Sequence, residues 1–167
     1  MYDQEKYEAH EASSFFPDGL SARQPIAGTI ARGDLRLDQH LYAGKIGDNL
    51  ATTLPPSMPV NLALLERGRQ RFEIFCAPCH DRTGGGNGMI VQRGFKRPPS
   101  MHEDRLRTMP VGYFYDVITN GFGSMASYAS RVPVKDRWSI AAYIRALQLS
   151  QNASVDQLSA EDKKNLQ

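Results

Sequence analysis

Several things that define whole classes of protein are scarce or missing in this sequence. It has two cysteines among 167 residues, too few for a disulfide-stapled scaffold. No run of roughly 18 apolar residues occurs, so nothing in these residues spans a bilayer as a helix. No alternating strand pattern of useful length and no internal repeat can be found. Charge of one sign is not in excess: 20 Lys and Arg against 18 Asp and Glu leave +2, too little to point to nucleic acid. The glycine run Gly84-Gly85-Gly86-Asn87-Gly88 lacks the Gly-Lys-Ser/Thr ending of a phosphate loop. The first residues, Met1-Tyr2-Asp3-Gln4-Glu5-Lys6, are polar and hold no signal-peptide core.

What is present suits one compact domain with extensions. Hydrophobic residues make up 41% and charged residues 23%, enough for a packed core. Residues 1–58 read as an extended arm, 59–150 as the domain, and 151–167 as a polar tail with a short helix near Ser159. The arm carries Pro17, Pro25, Pro55 and Pro56 and no sustained helical period. Its apolar residues come in small clusters, too few to order it alone. The pair Phe15-Phe16 and the stretch Gly28-Thr29-Ile30-Ala31-Arg32-Gly33 favour an arm lying on a partner over a disordered tail.

The domain reads as all-α. Asn61 is a suitable N-cap for a helix from Leu62 to about Phe75. Ser100-Met101-His102-Glu103 has the spacing of a capping box. Pro110 opens a helix through Tyr113, Val117 and Ile118 that Gly121 closes. A final helix starts near Pro133 and runs through Trp138, Tyr143 and Leu147.

Cys76-Ala77-Pro78-Cys79-His80 matches C-x-x-C-H, the attachment signature of c-type haem. Two thiols at this spacing can add to the two porphyrin vinyl groups, and the adjoining histidine becomes the proximal iron ligand. Zinc is the rival, but there is no second cysteine pair and a Cys₂His set lacks a fourth ligand. The expected cofactor is therefore one covalent haem c. Candidates for the sixth ligand are Met58, Met89, Met101, Met109, Met125, His102, His10 and His40. Met125 is preferred, because Asn120-Gly121-Phe122-Gly123-Ser124-Met125 is a glycine-rich loop between two helices. Met109 is second, and a core-filling role for Met125 is the plain alternative. His80 and Met125 would then hold the iron, with no catalytic base or nucleophile in evidence.

Gly68, Phe72 and Cys76 recur on one helix face, and Tyr143 lies in the final helix. Together with the haem motif and the methionine loop, in that order, they resemble the class I cytochrome c fold. That fold implies about four helices around one haem, with first and last helices crossing near a small residue and aromatics. The resemblance also implies that a proline carbonyl, from Pro98 or Pro99, accepts the other imidazole N–H of His80. Arg93, Lys96, Arg97, Arg105 and Arg107 form a basic stretch; one arginine, with Arg97 a candidate, would pair with a propionate and the rest stay solvated. Tyr128 and Trp138 are candidates to touch the haem, or ordinary core.

The long arm with Phe15-Phe16-Pro17-Asp18-Gly19 and Gly28–Gly33, followed by one haem domain, further resembles the monohaem cytochrome subunit of bacterial alternative complex III, a quinol:electron-acceptor oxidoreductase. That resemblance implies a multihaem cytochrome as donor, an iron–sulfur/molybdopterin-like subunit nearby, and a soluble carrier or terminal oxidase as acceptor. It also implies the periplasmic side of the cytoplasmic membrane, reached through partners or a lipidated cysteine upstream of this numbering. The chain would then be an electron-transfer subunit rather than an enzyme by itself. A free periplasmic carrier, a haem peroxidase or gas sensor, and a purely structural clamp are the alternatives.

Overall fold

A computed structural model describes residues 4–164, the side chain of Gln157 aside. Its contacts divide the chain into two compact units, Met1–Leu35 and Arg36–Gln167. The division lies well before residue 58, where the sequence alone suggested the arm would end.

The first unit is built around a turn. Ala12 bridges Leu20 in antiparallel fashion, and Gly19 N–H donates to the Phe16 carbonyl to close Phe16–Gly19. Asp18 accepts twice from Arg23 Nη1, at 2.7 and 2.6 Å. The Arg23 guanidinium also lies 4.3 Å from the Phe16 ring centroid. Phe15, by contrast, is 79% exposed.

The second unit begins with α1 (Gln39–Ala43), capped by the Asp38 side chain and closed by Gly44. A two-residue hairpin follows, β1 (Lys45–Ile46) against β2 (Asn49–Leu50). The helical body is α2 (Leu62–Phe75), α3 (Ala77–His80), α4 (Met89–Gln92), α5 (Asp104–Thr108), α6 (Val111–Asn120), α7 (Val134–Asn152) and α8 (Ala160–Lys164). Eight helices are thus present among the described residues, of which only α2, α6 and α7 reach ten residues.

Asn61 caps α2 as the sequence suggests, its side-chain oxygen accepting from Leu64 N–H at 2.8 Å. The expected capping box at Ser100 does not form. Ser100 Oγ accepts from His102 N–H instead, and α5 starts only at Asp104. At the tail, Ser159 Oγ accepts from Asp162 N–H and opens α8.

The core lies where α7 crosses α2 and α6. Gly68 makes the first crossing possible: a Cβ there would sit 2.1 Å from the Ser139 carbonyl oxygen. Glycine in mid-helix sacrifices roughly 1 kcal/mol of propensity, offset here by direct backbone packing. Phe72 and Tyr143 meet beside it, ring centroids 5.5 Å apart. Residues 36–58 are part of this body. Ala51 is fully buried, Met58 nearly so, and Gly112 N–H of α6 donates to the Ala51 carbonyl at 2.8 Å.

Candidate functional site

Cys76 closes α2 and Cys79 and His80 lie in the next turn, α3, so the motif follows directly from the helix that crosses α7. Cys79 and His80 N–H both donate to the Cys76 carbonyl, which winds the five residues into one tight coil. Both cysteines are free thiols. Burial, and secondarily Cys79, push the Cys76 thiol up to about 12. Among the described residues, no three His, Cys, Asp or Glu side chains converge to hold a metal ion by themselves.

Burial pulls the His80 imidazole below its ordinary pKa, with Asp81 acting weakly the other way. The ring is therefore neutral at pH 7, the form that ligates iron. Its Nδ1 is buried and has no hydrogen-bond partner. The bond expected from a Pro98 or Pro99 carbonyl is accordingly not made. The Pro98 carbonyl instead faces Gly86, where a Cβ would lie 2.6 Å away. Two free cysteines and a histidine wound onto one coil are the donor set that covalent haem c takes. The residues fit the group.

The glycine run folds back over this coil. Gly86 N–H donates to the His80 carbonyl and Gly88 N–H to the Cys79 carbonyl. Asp81 organises the return. Its backbone has φ +56°, and its carboxylate accepts from Thr83 N–H and Oγ1, Gly85 N–H and Asn87 N–H. Burial raises the Asp81 carboxyl, but bonds from Thr83, Asn87 and Gly85 outweigh it and hold the pKa at about 2. Arg97 Nη2 donates to the Gly85 carbonyl at 3.0 Å, tying the basic stretch to the same loop.

The remaining ligand candidates separate by environment. Met58 and Met101 are buried in the core and Met109 packs against it. Met89 is 57% exposed at the start of α4. His40 Nε2 is bonded to the Thr53 carbonyl and His102 Nε2 to the Thr83 carbonyl; His10 is exposed in the first unit. Met125 is half-buried and outside the core cluster. It sits in a two-residue hairpin, Phe122 and Met125 exchanging both backbone hydrogen bonds across Gly123-Ser124, with Gly123 at φ +57° as a primed turn needs. Gly121 is obligatory: φ is +81°, and a Cβ would meet the Met125 carbonyl oxygen at 2.5 Å.

Tyr128, three residues on, is raised in pKa first by burial and then by the nearby Cys79 and Cys76 sulfurs. Tyr128, Cys76 and Ala77 all pack against the same core cluster. Trp138 is fully buried; its indole N–H donates to the Leu41 carbonyl and its ring stacks on Tyr115. Two contributors, Asp81 and Arg137, have no place in the sequence expectations. Asp81 had a local signal, an Asp two residues before a Thr at a turn. Gly121 carries two signals in the sequence, a helix stop and a place in the glycine-rich loop, and the fold adds the positive φ that fixes it as glycine. Arg137, buried in α7, had no signal, because its partners come from the tertiary fold.

Residues 63–144 match the family model of cytochrome C oxidase, cbb3-type, subunit III. The matched stretch holds Cys76, Cys79, His80 and Met125, and the match supports a class I c-type cytochrome. It implies covalently bound haem c and electron transfer. A search of curated proteins finds no match to the chain.

Proposed function

With a cytochrome c domain over residues 63–144, we propose that the chain is the monohaem electron-transfer subunit of a membrane-associated quinol-oxidising complex of the alternative complex III kind. Bound haem c supplies a one-electron couple. Cys76 and Cys79 would hold it by thioethers, and His80 and Met125 would ligate its iron. A thioether ligand is soft and raises the potential relative to a second histidine. The chain's residues keep both ligands in place: α3 fixes His80, and Gly121 with the Gly123-Ser124 turn shapes the approach of Met125. No proton need move at any of them.

Membership of a complex rests on the first unit. It braces a turn with the Asp18–Arg23 pair yet leaves Phe15 79%, Ile26 83% and Ile30 57% exposed. Apolar side chains displayed on such a small unit are costly in water and suit a protein interface. The donor would be a multihaem subunit, an iron–sulfur/molybdopterin-like subunit would stand beside it, and a periplasmic carrier or oxidase would be the acceptor. Isolation of the native assembly with identification of its subunits by mass spectrometry tests this. Co-purification with a multihaem cytochrome is expected; recovery as a lone monomer would refute it and favour a free carrier.

A further inference from the structure

Arg137, one turn into α7, is 6% exposed and directs its guanidinium to the chain on both sides of Met125. Nε donates to the Val132 carbonyl at 2.8 Å and Nη2 to the Ala129 carbonyl at 2.8 Å. Nη1 donates to Thr119 Oγ1 at 3.1 Å, on the last turn of α6. The Thr119 carbonyl in turn accepts from Ser127 Oγ at 2.5 Å. Tyr128 N–H donates to Ile118, and Val132 N–H to Tyr128. One side chain thus joins the end of α6, the middle of the loop and the approach to α7, with the Met125 hairpin between the first two.

Among the described residues no carboxylate pairs with it, since the neighbouring Asp136 is bound by Arg67 and Arg71. A buried guanidinium with only neutral acceptors is a poor device for stability alone. Its value lies in geometry: a planar fork donates in three directions at once, which lysine cannot do.

We propose that Arg137 is a positioning residue for the distal ligand, holding residues 119–132 in the one conformation that presents Met125 to the iron. The proposal rests on the reading of Met125 as that ligand. Without the clamp the helices persist, but the hairpin swings and the sixth position opens to outside ligands.

The test is carbon monoxide binding to the reduced haem-loaded protein, followed by difference spectroscopy, on wild type, Met125→Ala and Arg137→Lys. Wild type is expected to resist carbon monoxide and Met125→Ala to bind it promptly. Arg137→Lys, with unchanged far-UV circular dichroism, is expected to bind at least about tenfold faster than wild type, from loss of charge-assisted bonds to the loop. If Arg137→Lys behaves as wild type while Met125→Ala opens, the proposal is overturned and the ligand reading stands. If Met125→Ala itself behaves as wild type, both fall. Should Arg137→Lys not fold, amide exchange on the wild-type protein decides: Tyr128 and Val132 amides as protected as those of α7 support the clamp, and exchange typical of an open loop overturns it.

Discussion

Trp138 donates its indole N–H to the Leu41 carbonyl at 2.8 Å, joining α7 to α1. Its ring stacks on Tyr115, centroids 4.5 Å apart, and the Tyr115 hydroxyl donates to the Tyr42 carbonyl at 2.9 Å. Two aromatic side chains of the helical body thus hold residues that read as arm in the sequence. Trp138→Phe keeps the stacking and leaves the Leu41 carbonyl without its donor. The expected loss is about 1–3 kcal/mol in urea unfolding, with the haem spectrum and midpoint potential unchanged. A shifted potential at unaltered stability would make Trp138 a haem contact instead.

Gly68→Ala is expected to be harmful, although alanine normally strengthens a helix. Both atoms nearest the new methyl belong to the Ser139 backbone, which cannot swing aside as a side chain would. Overpacking of this kind costs roughly 1–3 kcal/mol or more. A thermal melt checks it, and a rise in Tm would mean that α2 and α7 do not cross at this position.

Asp81 gives a pH dependence of definite sign. Its folded pKa, about 2, lies below the ordinary carboxylate value of about 3.9, so its contribution is fully present above the unfolded value and fades as pH falls through the folded one. Asp81→Asn removes the charge that Thr83, Gly85 and Asn87 donate to. The stability difference between wild type and variant should be constant above about pH 5 and shrink towards pH 2. Urea unfolding at a series of pH values measures it; a difference that grows on acidification would contradict the assignment.

Much of the frame is legible in the sequence because its signals are local. Asn61 declares the start of α2, Gly121 the end of α6, and Cys76 to His80 the haem motif, each within a few residues. The Gly68 crossing could be anticipated because a mid-helix glycine needs a reason. Where the outcome depends on distant partners, sequence falls silent or misleads. Ser100 has capping-box spacing yet turns its hydroxyl to His102. Residues 36–58 lack periodicity because α6 and α7, not their own pattern, hold them. His80 Nδ1 finds no hydrogen-bond partner, and Arg137 gives no hint of its partners in α6 and the following loop.

Central to this account is a single covalent haem c that takes up and gives back one electron. A spectroelectrochemical titration of the purified haem-loaded chain tests it most directly. One reversible wave is expected, with the oxidised-to-reduced ratio changing tenfold per roughly 59 mV, as one electron requires. Two waves, a two-electron slope, or no reversible wave at all would contradict it.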